Sequence, residues 1–120
     1  MSNFSRHVRP YVQIELAAAN ACEKREDFAA SFRHLERAHV LAQASTGDHV
    51  RVHWRMLLWA VRQRKTHEIT GQILRIAGAA TKTAIGLVPR GNTGGSNVSP
   101  FRRMPIPEDL AILLAKTAGL

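Results

Sequence analysis

The sequence predicts an all-α protein with four main helices, paired as two antiparallel hairpins, then an extended loop-rich segment and a short C-terminal helix. Apolar residues make up 45% of the chain, which is enough for one hydrophobic core. Aromatic residues make up only 6%, while alanine and leucine are abundant, and this balance favours helices over sheets. Apolar residues also recur at helical spacing in successive segments that turn residues separate.

The first two predicted helices follow an N-terminal arm of residues 1–10. The first runs from Tyr11 to Lys24, and the second follows the N-cap Asp27 and continues to about Gln43. The predicted apolar face of the first helix consists of Ile14, Ala17, Ala18, Ala21 and Cys22. The predicted face of the second consists of Phe28, Phe32, Leu35, His39 and Ala42.

The third predicted helix runs from about His49 to Lys65, after a turn at Ser45 to Asp48, and it has two apolar stripes. One stripe consists of Val50, Trp54, Leu57 and Val61. The other consists of Val52, Met56 and Trp59. Because a helix that is apolar on two sides is normally sandwiched between neighbours, we expect this helix to be central.

The fourth predicted helix begins near Thr66 or His67 and ends at about Val88, before Pro89. Its main face consists of Ile69, Ile73, Ile76 and Ala80. Residues 89–107 are rich in glycine, asparagine and proline, and residues 108–118 form the short helix. We expect the apolar residues of the extended segment to dock on the core; they are Phe101, Met104 and Ile106. The chain is therefore predicted to be one domain over residues 1–120, with a helical core over 11–88.

An internal repeat supports the hairpin arrangement. Ser31, Leu35 and Ala38 have a small–large–small spacing that recurs 39 residues later at 70, 74 and 77. This spacing resembles the second helix of a tetratricopeptide hairpin. Because the tetratricopeptide period is about 34 residues, the resemblance implies an insertion of about five residues, placed at Ser45 to Asp48.

Two longer blocks resemble a known family. The blocks are residues 32–39, Phe-Arg-His-Leu-Glu-Arg-Ala-His, and residues 49–54, His-Val-Arg-Val-His-Trp. They resemble short bacterial proteins of the domain of unknown function 3703 family, and so do residues 91–99 and 104–107. The resemblance spans nearly the whole chain. It implies one cytoplasmic domain and supplies no catalytic residues.

The positive charge of the chain is concentrated in its second half. The formal net charge is +8, and residues 49–107 carry ten basic side chains against the single acid Glu68. The candidate anion- or partner-binding residues are Arg51, Arg55, Arg62, Arg90, Arg102 and Arg103. A solvated helix face is the alternative for the first three. Because the sequence has no nucleic-acid-reading module and few aromatics for base stacking, we expect a protein partner before a nucleic acid.

The predicted compartment is the cytoplasm. The single cysteine, Cys22, rules out an intramolecular disulfide, and the N-terminus lacks the apolar region of a secretory signal. No apolar run reaches the length of a membrane span, so we expect no membrane association.

The histidines are the candidate metal ligands. His49 and His53 have the i, i+4 spacing that lets two side chains on one helix share an ion. His39 lies on the apolar face of the second helix, Glu36 is one turn before it, and Glu15 flanks the first helix. Such a set suits zinc, nickel, cobalt or iron. The alternative is a polar core in which Glu15 bridges to His39 or His53 without a metal.

No nucleophile in the sequence has the surroundings that catalysis requires, and Cys22 fits core packing, so we do not expect an enzyme. The leading hypothesis is a non-catalytic helical interaction module whose partner is a protein, with a homo-oligomer left open. The alternative is a transition-metal-binding helical protein that uses a His/Glu cluster between helices two and three. No other cofactor is expected.

Overall fold

The chain forms five α-helices within the residues that the computed structural model describes, which are 2–84, 90–99 and 102–118. Side chains are described for all of these except 79–84. The helices are α1 (Asn3–Lys24), α2 (Phe28–Ala42), α3 (Thr46–Arg62), α4 (Thr66–Ala84) and α5 (Glu108–Ala118). The described ranges contain no strand, so the all-α prediction is confirmed.

The most extensive helix contacts are between α1 and α2 and between α3 and α4, as expected for two helix pairs. Helix α2 also packs on α3, and α5 packs on both α1 and α2. One core joins these elements; its largest members are Leu16, Leu35, Leu41, Met56, Trp59 and Leu110. In the described part of the chain no helix is long and apolar enough to cross a membrane.

The predicted N-terminal arm is wrong, because α1 already begins at Asn3. The Ser2 side chain caps the helix by accepting a hydrogen bond from the Ser5 amide at 3.0 Å. Pro10 lies inside the helix and removes one backbone donor. Burial of Val8 and Val12, which are 0% and 1% exposed, offsets that loss.

The predicted apolar face of α1 is also wrong, apart from Cys22. Ile14 is 62% exposed, whereas Leu16 and Ala19 are buried. The buried apolar row begins at Val8, about one turn before the predicted start of the helix, and continues at Val12. Because the predicted helix begins at Tyr11, Val8 is not counted as part of this row. The prediction therefore selects the adjacent row of small residues as the buried face.

Helix α3 is buried on one side, so the prediction of two buried stripes is wrong. Val52, Met56 and Trp59 are buried, but Trp54 and Val61 of the other stripe are more than half exposed. The helix also begins three residues earlier than predicted, at Thr46.

Helix α4 departs from its predicted face as well. Ile73 of that face is 54% exposed, while the side chain of Gln72 is fully buried. The predicted main-face residue Ala80 has no described side chain, and the predicted helix end at Val88 lies outside the described residues. The side of α4 that faces the protein interior therefore carries a polar residue, whose partners are described below.

The turns that follow α1 and α3 have the same backbone structure. Glu26 and Arg64 both have left-handed conformations, with φ of 60° and 56°. In each turn an amide closes back on the preceding helix at 2.9 Å, Asp27 N on Cys22 O and Lys65 N on Ala60 O. The two helix pairs therefore share the backbone structure of the turn between their helices. The resemblance to tetratricopeptide hairpins itself stays a prediction.

The loop-rich segment is docked on the helices over its described residues. Asn92, Gly94 and Gly95 are buried, and the Gly91 amide donates to Gln43 Oε1 at 2.9 Å. Ile106 packs against the core, as predicted, and Met104 is half-buried. The predicted docking of Phe101 lies outside the described residues.

Candidate metal centre

Three buried histidine side chains converge between α2 and α3. His39 lies on α2, and His49 and His53 lie one turn apart on α3. The three Nε2 atoms form a triangle with separations of 2.9 Å (His39–His49), 3.0 Å (His39–His53) and 3.2 Å (His49–His53). The residues are 3%, 4% and 3% exposed. The structure therefore brings together the three histidines that the sequence selected.

The tautomer of His39 follows from its outer hydrogen bond. Its Nδ1 lies 2.7 Å from the backbone oxygen of Asn92. Because a carbonyl oxygen only accepts hydrogen bonds, Nδ1 carries the hydrogen. In the neutral ring the inward-facing Nε2 therefore carries no hydrogen and has a free lone pair.

The tautomer of His53 follows from the orientation of the Gln72 amide. Gln72 Nε2 lies 2.6 Å from Glu68 Oε1 and 2.8 Å from the backbone oxygen of Gly94, and both of these atoms accept. The other end of the amide, Oε1, lies 2.6 Å from His53 Nδ1 and must accept from it. In neutral His53, Nε2 therefore also carries no hydrogen, and its lone pair is directed toward the other two histidines.

A single cation satisfies this triangle better than a proton does. The Nε2 atoms of His39 and His53, each with a lone pair directed inward, lie 3.0 Å apart, and one proton can bridge only two of the three nitrogens. An ion with bonds of ~2.1 Å holds nitrogens ~3.0 Å apart at right angles and ~3.4 Å apart at the tetrahedral angle. The separations of 2.9–3.2 Å match the first value and fall a few tenths of an ångström short of the second.

Burial keeps His39 neutral. It lowers the pKa of His39 well below its ordinary value, and the neighbouring His53 and His49 lower the pKa further. The hydrogen bond to the Asn92 oxygen opposes the shift but does not reverse it. Because metals bind the unprotonated imidazole, a ring that stays neutral is prepared to act as a ligand.

The outer hydrogen bonds resemble those that orient histidine ligands in metal proteins. A chain runs from the Glu68 carboxylate through the Gln72 amide to His53. Glu68 also accepts from the Ser96 amide at 3.0 Å, which ties the chain to the loop-rich segment. The outward-facing Nδ1 atoms of His39 and His53 thus each have a defined acceptor.

Gly94 brings the loop directly against the site. Its φ is +84°, and a Cβ at this position would lie 2.5 Å from His39 Cδ2. Its amide donates to Asn92 Oδ1 and its carbonyl accepts from Gln72. The Gly94 backbone therefore packs directly against the histidine ring, in a conformation that favours glycine.

Sequence reasoning missed the residues that orient the histidines, chiefly Gln72, Asn92 and Glu68. A signal was present in α4, where Glu68 and Gln72 are spaced i, i+4 and can therefore lie on one side of the helix. The Asn92 carbonyl carries no signal of its own, because any residue supplies a backbone oxygen.

Glu15 and Glu36, two of the predicted metal ligands, lie outside the histidine triangle, so that part of the prediction is wrong. Among the described residues, the group with metal-ligand spacing consists of the three histidines. Glu15 instead accepts from His34 Nδ1 at 2.7 Å and from Arg37 Nε at 2.9 Å, because α1 faces that side of α2. The predicted bridge from Glu15 to His39 or His53 is replaced by this contact.

Glu36 is not part of the histidine group, and its carboxylate interacts with Thr93 instead. Burial raises the pKa of Glu36, a hydrogen bond from Thr93 opposes the shift, and the Glu68 carboxylate adds to it. Glu36 precedes His39 by three residues on α2, but this spacing does not bring its carboxylate into the histidine group.

The three arginines on α3 that the sequence offers for partner binding mostly hydrogen-bond to polar side chains of the same chain. Arg62 donates to both oxygens of Glu23 at 2.7 and 2.8 Å. Arg55 donates to Asn20 Oδ1 at 2.9 Å. Arg51, an exposed residue, lies 3.4 Å from Asp48 Oδ1. The predicted residues Arg90, Arg102 and Arg103 are exposed on the loop-rich segment.

The comparisons with known proteins agree with the resemblance seen in the sequence. No curated protein and no solved structure matches the chain. One family model, described as "Protein of unknown function (DUF3703)", matches residues 6–114. Because this match covers most of its length, the chain belongs to the DUF3703 family.

Proposed function

We propose that this protein binds one divalent transition-metal ion through the Nε2 atoms of His39, His49 and His53. The observation that carries the proposal is the buried triangle of nitrogens, two of which have lone pairs that the outward Nδ1–H bonds direct inward. The site corresponds to the metal-binding alternative predicted from the sequence, without its two glutamates.

The donor set favours metals of intermediate softness. Imidazole nitrogen suits Zn²⁺, Co²⁺, Ni²⁺ and Fe²⁺, whereas Mg²⁺ and Ca²⁺ prefer oxygen ligands. Three protein ligands also leave at least one coordination position for water or another small ligand. The three residues are at most 4% exposed, so a larger substrate does not reach the ion in this conformation. We therefore propose binding rather than catalysis.

Cobalt provides a direct test, because Co²⁺ in a nitrogen-rich site of low symmetry has visible absorption bands. Metal-free protein is titrated with Co²⁺, and the same titration is made with His53→Gln and with His67→Gln. His67 is exposed and lies outside the triangle, so His67→Gln is the matched control.

We expect one equivalent of Co²⁺ to saturate the wild type and the His67→Gln control. The His53→Gln variant should bind at least tenfold more weakly, and Zn²⁺ should displace Co²⁺. If the folded wild type gives no bands, or if both variants respond alike, the triangle is a hydrogen-bonded core and the proposal is wrong.

A second candidate function is the helical interaction module with a protein partner. The observation in its favour is a set of exposed large apolar side chains on α3 and α4. These are Trp54, Val61, Ile73 and Leu74, which are 51–70% exposed. Sedimentation velocity tests self-association first. A dimer that dissociates in the Leu74→Lys variant would support self-association through this surface. A monomer at all concentrations would rule out self-association and leave only binding to a different protein.

A further inference from the structure

An apolar groove lies apart from the histidine triangle, between α5, the end of α2 and the start of α1. Its volume is about 430 Å³, within the range of small-molecule sites. The apolar side chains that line it include Phe4, Val40, Leu41, Ile106 and Leu114. Its α5 wall is completed by small residues, among them Ala111 and Ala115, which leave the groove open.

A basic hollow adjoins the groove. Arg90 and Ile106 line both the groove and a second hollow of about 350 Å³, and Arg103 lines the second hollow only. Both arginines are exposed. The ion pairs within the described part of the chain use other arginines, at positions 9, 37, 51 and 62. Two positive side chains therefore line a hollow that is continuous with the apolar groove at Arg90 and Ile106.

This juxtaposition is complementary to a molecule with an aliphatic chain and an anionic end. We propose that the groove binds a medium-chain aliphatic carboxylate, with its chain along α5 and its carboxylate between Arg90 and Arg103. Guanidinium groups bind carboxylates through short, charge-assisted hydrogen bonds. The chain would cover the alanine and leucine side chains, which gains hydrophobic free energy. This function is separate from metal binding, because the groove does not include the three histidines.

The test separates the contribution of the chain from that of the charge. Decanoate, decanol and acetate are each titrated into the full-length protein below micellar concentrations, with calorimetry and amide NMR shifts as readouts. We expect decanoate to bind saturably with one molecule per chain. Decanol and acetate should each bind at least tenfold more weakly.

Three variants locate the ligand. The double variant Arg90→Gln, Arg103→Gln should weaken decanoate binding about tenfold or more, while decanol binding stays unchanged. Ala115→Phe should fill the groove and weaken both ligands. Arg102→Gln is the control, because Arg102 is an exposed arginine of the same segment that lines neither hollow.

Several results would overturn the proposal. Equal weakening by Arg102→Gln would show attraction to net charge only, and acetate binding as strong as decanoate binding would show an anion patch only. Unsaturable decanoate binding would show adsorption to exposed apolar surface. Circular dichroism establishes that each variant is folded, and cobalt binding, measured separately, distinguishes failure here from failure of the metal proposal.

Discussion

The ring of His39 is held on two sides by the backbone of one loop. Its Nδ1–H donates to the Asn92 oxygen, and the Gly94 backbone packs on the carbon edge of the ring. A residue with a side chain at position 94 meets two obstacles, because φ is +84° and a Cβ would overlap His39. The orientation of His39 Nε2 thus depends on a glycine more than fifty residues away in sequence.

Gly94→Ala should lower the free energy of unfolding by about 1–3 kcal/mol, because it adds left-handed strain and an overlap with His39. Urea denaturation measures the change. Gly47→Ala is the control, since a Cβ there meets no atom within 4 Å and the position is helical. Equal losses in the two variants would contradict the proposed contact.

Gln72→Met should weaken metal binding about 10–100-fold, because His53 Nδ1–H loses the acceptor that selects its tautomer. Cobalt titration measures the affinity. Gln13→Met, at an exposed position of α1, is the control and should bind like the wild type. If Gln72→Met also binds like the wild type, the Gln72 amide does not orient the ligand.

At the scale of elements, the ends of α1 and α3 carry strain that glycine would relieve. Glu26 and Arg64 occupy the left-handed position after each helix, where glycine is usual. For a non-glycine residue this conformation costs ~1–2 kcal/mol, whereas glycine costs ~0.5–1 kcal/mol in chain entropy. The difference favours glycine at both positions.

Arg64→Gly should therefore raise the free energy of unfolding by about 0.5–1 kcal/mol. Chemical denaturation measures it, with Arg64→Ala as the control that removes the same charge and keeps the strain. A gain in both variants would assign the effect to charge instead.

The ion pair between Glu23 and Arg62 joins α1 to α3 and should make stability depend on pH. The hydrogen bond from Arg62 lowers the pKa of Glu23 in the folded state, so the unfolded chain binds this proton more readily. The pair therefore stabilises the fold above the ordinary pKa of the carboxyl, and its contribution is lost as the pH falls through the lowered value.

Glu23→Gln should cost at most about 1 kcal/mol at pH 7, since the pair is partly solvated. The difference from the wild type should shrink with added salt and disappear in acid, at pH values below the lowered pKa of Glu23. Denaturation at several pH values measures it. A difference that grows in acid would contradict the assignment.

The extent to which the helices are predictable depends on their boundaries. The limits of α2 follow from Asp27, whose side chain accepts from the Ala30 amide as an N-cap. The start of α1 was predicted too late because Pro10 indicates a boundary locally, while burial of Val8 overrides it. The faces of α3 and α4 were partly wrong because periodicity finds apolar rows and does not show which of two rows has a neighbour.

For the whole molecule, the candidate site was predictable only in its ligands. His39, His49 and His53 could be selected from helical spacing and from the apolar face of α2. Their orientation depends on groups brought from α4 and the loop-rich segment, which only the folded chain places together. Glu15 was selected wrongly because the competing partners His34 and Arg37 lie one turn apart on α2.

The most direct test of the central claim is the zinc content of the protein after equilibrium dialysis, measured by elemental mass spectrometry on tag-free wild type and on His39→Gln. If the proposal is right, we expect about one zinc per wild-type chain and a near-complete loss in a folded His39→Gln variant. A folded wild type without zinc, or equal zinc in both proteins, would contradict a metal site at the three histidines.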